Sequence, residues 1–437
     1  MSEYINVSRR DNNQQRYVVA GSLVFSSDYH EGTVSFHYDS EYLKAGGAPL
    51  DPKNLPVDLP QGAYVTPGSN GKLPRYFQQF LPNLHANALL REYDFEWNDL
   101  NQFSRLSSVT RHTGDFGAIQ LNAQNEQNNA PVQSLDELNT FVQAIRRNHA
   151  GKGESPLTEE TFISFCKQPG RQVMLDFVSP ENGKRYVVKL ANHALFDDVR
   201  MRAVITDMQR MASIDTCELR VEALDCGESV ALQEDFTNAF EELPGGDTPY
   251  LIKFNRVSFA ALLYGDDEFK AQNGYSLEQA VEVINSYSAD PQSDLEQLYV
   301  RTVLNTAINN CANGPENMHM LDIGNGTWRL APITNALPNP LHQNTFAMQL
   351  GEGMSSRQFI AVNDDLFNHL ATICNIPHST SLELAHSVTT AIGSWSMLAD
   401  KHQLNTQSRL ALQQSIEHGA PTLISKNTIS PGTSPSM

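Results

Sequence analysis

An α+β fold, strands early and helices late, is what this sequence predicts, and three observations lead there. Residues 17–44 alternate between apolar and polar in strand-like fashion. Two Asn-Gly pairs, Asn182-Gly183 and Asn325-Gly326, stand between alternating runs, the strongest short hairpin signal. From Ser276 onward, apolar residues recur mostly at helical spacing. Strand runs followed by helix runs imply α+β rather than an alternating α/β chain. With 437 residues, the chain has room for two to three domains or one large two-lobed unit.

The elements follow in order. YVVAGSLVF, GTVSFHY and EYL read as extended, punctuated by Gly32 and by Gly46-Gly47. Residues 49–82 are rich in Pro and Gly and read as irregular connections. FQQFLPNLHANALLREY and WNDLNQFSRLSSV have the apolar spacing of two short helices. GDFGAIQL reads as a turn entering a strand. Residues 122–134 are polar and read as a surface linker and a first boundary. SPLTEETFISF reads as a short capped helix. RQVMLDFVS and KRYVVKLAN then flank the first Asn-Gly pair. VRMRAVITDMQRMA is helical, and LRVEAL and YLIKFNRV return to strand.

Ser276 with Gln279 three residues on is a capping box. Behind it Leu277, Ala280, Val281 and Ile284 line one helical face. SDLEQLYVRTVLNTAIN is a second helix, and NMHMLDI and TWRLAPI flank Gly324-Asn325-Gly326 as a second hairpin. Asp364 to Glu417 reads as two or three more helices. The Ser/Thr/Pro-rich tail GAPTLISKNTISPGTSPSM reads as disordered. No internal repeat is visible.

Composition narrows the function classes. Lys+Arg is 31 and Asp+Glu is 50, a net charge of −19. A field of that sign repels phosphate backbones and anionic lipid heads, which argues against a broad nucleic-acid-binding surface. The basic pair Arg146-Arg147 is too small to reverse this. No apolar run is long enough to predict a membrane span, and MSEYINVSRRDNNQQ lacks the apolar core of a secretory signal. The five cysteines, Cys166, Cys217, Cys226, Cys311 and Cys374, form no CxxC pair. They fit buried thiols in a reducing, cytoplasmic compartment. The thirteen histidines show no HxxxH or HExxH spacing, so nothing predicts a dedicated zinc site.

Chemistry concentrates in two places. Lys189, in YVVKLAN, is a strand lysine flanked by apolar neighbours, the arrangement kinases use to hold ATP phosphates. Such a lysine is more often an edge or snorkelling residue. Further along come a helix, the irregular loop NNCANGPEN, a hairpin and LAPITN, and kinase folds place a catalytic loop and a metal-binding acid around such a hairpin.

Several segments, in order, resemble the HipA family, the kinase-fold toxins of bacterial HipBA toxin–antitoxin modules. FHYDSEYL, PLDPKNLP and LPRYFQQFLPN are similar to the family's N-terminal subdomain, as is TGDFGAIQL to its "GxDxxGAL" signature. YLIKFNRVSF resembles its "RFDR" segment, AALLYGDDEFKAQNGYSLEQAVEVI the helix and turn that follow, and WRLAPITNALP its "W-x-L-(A/T)-P-x-Y-D" segment. The similarity runs from about residue 18 to about 415. It implies a two-lobed protein-kinase-like fold, with residues 1–125 as an N-terminal subdomain and 126–155 as a linker region. Residues 156–257 would form the N-lobe-like part, 258–417 the helical C-lobe-like part, and 418–437 the tail. ATP and magnesium are the cofactors it implies, and a small helix-turn-helix antitoxin-like protein the partner.

The departures matter as much. The family's catalytic loop reads roughly N-x-D-x-H-x-x-N. Anchored on Asn317, it puts Ala312 at the catalytic Asp and Gly314 at the His. The metal-binding Asp falls on Asn335, and the Asp of RFDR on Asn255. The nucleotide loop survives only as KQPGRQVML, with Gly170 kept and Gln172 in place of a lysine. Alanine accepts no proton, and losing a general base typically costs about 10²–10⁴ in rate. Asparagine lacks the charge magnesium favours. Lys189 and Asn317 remain at matching positions. Asp115-Phe116-Gly117 spells the kinase DFG motif but lies upstream of Lys189, where it reads as a turn before a strand.

Three readings stay open on the sequence. One is a pseudokinase that acts by binding a protein. The second is an active serine/threonine kinase toxin in which Glu316 or Asp322 replaces the lost base. The third is transfer of a different group from ATP, which nothing in the sequence selects.

Overall fold

The computed structural model describes residues 2–27, 32–58, 63–65, 71–82, 95–110, 115–122, 134–149, 175–191, 196–241, 250–264, 275–310, 313–334, 336–339, 345–351 and 360–421. The expected helix SPLTEETFISF, the KQPGRQVML loop with Gly170 and Gln172, Cys166, Cys311, Ala312 and Asn335 lie outside them. So do most of the polar 122–134 stretch and most of the tail. The chain divides into two units, neither continuous in sequence. The first takes residues 1–190, 220–271 and 319–329. The second takes residues 191–219, 272–318 and 330–437.

In the first unit a six-stranded sheet is ordered β4-β3-β2-β1-β6-β5. Its strands are β1 (Ser2–Asp11), β2 (Arg16–Ser26), β3 (Thr33–Tyr38), β4 (Ala63–Val65), β5 (Asp115–Phe116) and β6 (Ile119–Leu121). The expected strands at YVVAGSLVF and GTVSFHY are β2 and β3. Strand β1 was not expected, because its apolar alternation (Ile5, Val7) gives way to Ser8 and Arg9, which are buried as well. The β1–β2 register shifts between Val7 and Ser8, a bulge at the point where the polar residues turn inward.

EYL is a correction: Ser40–Lys44 is a helix, not a strand. The Asp39 carboxylate caps it, accepting from the backbone N–H of Glu41 and Tyr42 at 2.9 and 3.2 Å. Of the two helices expected over residues 77–109, the second is Gln102–Thr110, preceded by a 3₁₀ turn at Phe95–Asn98; the described start of the first holds the helix Arg75–Gln78, and its remainder, residues 83–94, lies outside the described residues. The short first helix contributes two buried rings. Tyr76 stacks edge-on against Phe80 at 5.5 Å, and Phe77 meets Phe36 at 5.3 Å, building an aromatic core on the sheet.

The stretch assigned to a linker region contains the helix Leu135–His149. Ser134 accepts from the Glu137 N–H at 3.1 Å at its start, and Leu138 and Val142 are buried four residues apart. The polar residues that suggested a linker precede this helix or lie on its exposed side.

A second sheet of this unit, ordered β7-β8-β10-β9, comprises β7 (Leu175–Val178), β8 (Arg185–Leu190), β9 (Leu219–Ala223) and β10 (Ser229–Glu234). The β7–β8 hairpin turns at the expected Asn-Gly, with Gly183 at φ 68°. Strands β11 (Asn238–Glu241) and β12 (Tyr250–Lys253) form a ribbon. The remaining strands are β13 (Asn255–Ser258), β14 (Tyr275–Ser276), β15 (His319–Gly324), β16 (Thr327–Leu330) and β17 (Met348–Gln349). Of these, β13-β15-β16 form a three-stranded sheet. The β15–β16 turn places Asn325 at φ 50° and Gly326 at φ 80°, the conformation that a tight Asn-Gly hairpin requires.

The second unit is mainly helical, with β14 and β17 paired in parallel. The Ser276–Gln279 capping box is present, and Leu277, Ala280, Val281 and Ile284 are buried as expected. The helix Pro291–Ala307 starts at Asp290, whose carboxylate accepts from the Ser293 N–H at 3.3 Å. Four helices, rather than two or three, fill Asp364–Gly419: Asp364–Ile373, His378–Gly393, Trp395–Lys401 and Thr406–Gly419. Leu366, Leu370, Val388, Leu412 and Ile416 are buried residues of their inner faces. Cys217 and Cys374 are buried thiols and Cys226 a half-buried one, none of them in a disulfide. No helix among the described residues is long and apolar enough to cross a membrane.

Candidate functional site

The loop expected to carry catalysis leaves the C-terminus of Pro291–Ala307 in the second unit. The chain reverses at Asn309, which adopts φ 56°, a conformation asparagine tolerates better than most residues. Two amide contacts fix this exit. Asn309 Nδ2 donates to the Asn339 carbonyl at 2.7 Å, and Asn310 Nδ2 donates to Asn305 Oδ1 at 3.0 Å. The described part resumes at residue 313, and Pro315–Asn317 form one 3₁₀ turn closed by the Asn317 N–H to the Gly314 carbonyl at 3.0 Å.

Asn317 is half-buried and Glu316 is exposed. The Glu316 carboxylate folds back over buried Gly314, so that a Cβ at 314 would collide with Glu316 Oε2. The space a side chain at 314 would take, the position expected to match the family's loop histidine, is occupied by the acid two residues on. Beyond the turn, the Tyr275 hydroxyl meets Met318 Sδ at 3.4 Å.

The other expected residues belong to the first unit. Lys189 lies on β8 opposite Ala231 of β10 and is 8% exposed. Asn255 lies on β13, in a different sheet, so the structure does not bring these two together within one sheet. Instead it pairs Asn255 with Asp322 directly across the β13–β15 ladder.

The surroundings of this pair are closed. Tyr76 donates its hydroxyl to Asn255 Oδ1 at 2.8 Å, and Asn255 Nδ2 donates to the Leu50 carbonyl at 2.8 Å. A carboxylate at 255 has no hydrogen to give Leu50, so the amide suits the position and the acid does not. Burial raises the Tyr76 phenol well above its usual range, which keeps it a donor. Asp322 Oδ1 accepts from the Gly324 and Gly326 N–H groups at 2.9 and 3.1 Å, bracing the hairpin turn. Its Oδ2 meets Arg9 Nη2. Arg9 Nη1 in turn donates to the Ala48 and Pro49 carbonyls at 2.9 and 3.0 Å.

Asp322 is thus buried and committed to a guanidinium and two backbone amides, which removes it as a stand-in base. Arg9 is the residue sequence reasoning missed. It lies 313 positions from its partner, and no spacing rule connects the two. At the start of β15, burial and the Arg256 guanidinium pull the His319 imidazole down to about 3, so it stays neutral.

The DFG triplet closes a short strand and opens the turn that leads into β6, consistent with the expected turn before a strand. Asp115 and Phe116 form β5 and pair with Gln120 and Ile119 of β6, while Gly117 adopts φ 69°. A Cβ there would stand 2.7 Å from the Phe254 carbonyl oxygen and 2.9 Å from Thr237 Cβ. Only glycine fits this approach, so close packing explains the residue without a metal.

The donor set for a magnesium ion fits poorly. Among the described residues no group of three His, Cys, Asp or Glu is arranged to hold a metal. The retained loop donor is the Asn317 amide, the expected acid positions hold Ala312 and Asn335, and Asp322 is already engaged. Glu316 beside the turn is a single exposed carboxylate. Hard divalent cations favour several charged oxygens.

Comparison with known proteins adds four findings. The model of the HipA-like C-terminal domain family matches residues 163–395. A HipA structure from Shewanella oneidensis MR-1, solved with HipB and operator DNA, is similar over 95% of this chain and 96% of its own, with TM-score 0.64 at 12% identity. The Helicobacter pylori proinflammatory kinase CtkA is similar over 58% of this chain and 95% of its own, with TM-score 0.38 at 12% identity. No curated protein sequence matches. The first structural match shows a kinase-like, two-lobed α+β fold.

Proposed function

From the premise that the chain belongs to the HipA-like C-terminal domain family, we propose that it is a pseudokinase of the toxin–antitoxin type that acts by binding a protein. The observation that carries this reading is the commitment of Asp322. It is the one acid on the strand that follows the loop, and Arg9 and the hairpin turn already hold it. With Ala312 and Asn335 at the family's two acidic positions, proton acceptance and magnesium binding both lose their groups. Magnesium has no step in this reading, because the residues present do not fit it.

Lys189 and Asn317 support a remnant of nucleotide binding. A buried strand lysine is suited to a phosphate, and Asn317 keeps its place at the end of the loop turn. The partner this reading favours is a small basic DNA-binding protein of the helix-turn-helix kind. The Shewanella protein was solved with HipB and operator DNA, and a net charge of −19 suits a basic protein surface better than DNA itself. Action in the bacterial cytoplasm follows from the same reading.

The second reading, an active kinase with a rearranged site, is favoured by one observation: the Glu316 carboxylate lies over the loop at position 314. A single-turnover assay separates the two. Excess protein is incubated for hours with labelled ATP and magnesium, then manganese, and label is followed into phosphate and protein. The expected result is no transfer above a Lys189→Ala control. Transfer that vanishes in that control and in Glu316→Gln sinks the pseudokinase reading and makes Glu316 the base.

A further inference from the structure

Among the described residues, no strand pairs with the outer edge of β12. On its inner side Ile252 stands opposite Ala239 of β11, and the Phe254 N–H donates to the Thr237 carbonyl at 2.8 Å. Backbone polar groups alternate between the two sides of a strand. Those of Leu251 and Lys253 therefore point away from β11, and there they meet side chains. Asn12 Oδ1 accepts from the Lys253 N–H at 3.0 Å, and Asn12 Nδ2 donates to the Lys253 carbonyl at 2.9 Å. Gln15 Nε2 donates to the Leu251 carbonyl at 3.0 Å.

Asn12 and Gln15 lie in the turn between β1 and β2, and both are half-buried. A side-chain amide carries a donor and an acceptor side by side. Asn12 thus pairs with Lys253 as a residue of a neighbouring strand would. Three features hold the two amides in place. Gln15 adopts φ 52°, a conformation disfavoured for a residue with a Cβ. Arg10 Nη2 donates to Gln15 Oε1 at 2.8 Å, which turns the amide nitrogen toward Leu251. Lys253 Nζ donates to the Tyr17 hydroxyl at 2.9 Å, just beyond the turn.

An open strand edge is a template for pairing with another chain, and proteins cover such edges. This edge suits a second copy of itself. A two-fold axis at Ile252 sets Leu251 opposite Lys253 of the second copy, each such pair exchanging both backbone hydrogen bonds. No like charges face each other in that register. The two Ile252 residues meet at the non-hydrogen-bonded position, with Cα atoms about 4.5 Å apart.

We infer that the edge of β12 is a self-pairing surface that the β1–β2 turn keeps closed, with Asn12 and Gln15 standing where the strand of a second copy would lie. This goes beyond the proposed function and uses none of the residues on which that reading rests.

The test opens the edge in the full chain in two ways. One variant carries Asn12→Ala and Gln15→Ala. The other replaces Asn12-Asn13-Gln14-Gln15 by Asn-Gly, which closes the same Asp11–Arg16 pair with a two-residue hairpin. Each is made with and without Ile252→Cys. Mass is followed by sedimentation at rising concentration, and disulfide-linked dimer is read after mild oxidation. An opened edge is expected to double the mass. With Ile252→Cys it is expected to give a linked dimer absent from the same chain without that substitution, which controls for the native thiols. Ile252→Cys in the chain with an intact turn is expected to give none.

The inference is overturned if neither opened variant gives a dimer that depends on Ile252→Cys, or if the intact turn gives as much of it. It is also overturned if neither variant folds, since the two amides are then structural groups of the interior and nothing more.

Discussion

The β13–β15 ladder and the loop from Asn309 to Asn317 both depart from the HipA pattern, and they depart in different ways. On the ladder, Asn255 replaces an expected acid and immediately finds work that an acid cannot do, donating to the Leu50 carbonyl while accepting from Tyr76. Its cross-strand neighbour Asp322 carries the local negative charge and spends it on Arg9. In the loop, Gly314 and Asn317 are held by backbone geometry, and the sequence places Ala312 between them and Asn309 without any acid in register. The ladder has exchanged one set of polar contacts for another. The loop, in the register expected from the sequence, carries Ala312 where an acid would serve chemistry. A missing family residue is therefore evidence about catalysis only where the structure gives its replacement no other task.

The sharpest way to break this comparison is Asp322→Ala. It leaves Arg9 buried opposite no carboxylate and removes two acceptors from the hairpin turn. Removing one partner of a buried ion pair costs about 3–5 kcal/mol. The midpoint of urea unfolding of the first unit should fall steeply. A loss no larger than that of an exposed surface substitution would mean that the Arg9 contact is incidental and that Asp322 is available for chemistry after all.

The next variant sharpens the comparison. Asn255→Asp restores the family residue, yet it should destabilise by about 1–3 kcal/mol, the cost of an unsatisfied buried polar group. The Leu50 carbonyl loses its donor, and two carboxylates face each other across the ladder around a single guanidinium. Adding Asp322→Asn moves the charge across the ladder and should recover part of the loss, because Asn Oδ1 still accepts from the turn amides. A double-mutant cycle reads the coupling. Additive losses would show that Asn255 and Asp322 do not share a charge balance.

How far the sequence reached follows the same division. Both hairpins, the capping box and the long helix after Asp290 were legible, because Asn-Gly turns, caps and apolar periodicity are local signals. The helix at Ser40–Lys44 was hidden behind a run that also alternates, and the Asp39 cap decides it. Strand β1 was hidden because two of its buried residues, Ser8 and Arg9, are polar. Of the candidate residues, the placement of Lys189 and Asn255 on strands and of Asn317 in the loop before a hairpin was legible from pattern. The work of Asn255 was not: its partners come from residues 50 and 76, and those of Asp322 from residue 9, joined only by the fold.

The smallest expected effect belongs to the loop. Gly314→Ala places a Cβ against the Glu316 carboxylate at Oε2. That contact is with the far end of a flexible, exposed side chain, and Gly314 is extended at φ −86°, so the backbone accepts alanine without strain. Because the side chain is exposed and flexible, the carboxylate should swing aside at a cost below about 1 kcal/mol. The unfolding midpoint should barely move, in contrast to the ladder variants. A loss as large as that of Asn255→Asp would show that Glu316 is held over the loop by bonds worth keeping. The acid over position 314 would then be a fixed part of the loop's architecture, and the contrast between a rebuilt ladder and an emptied loop would fail at that residue.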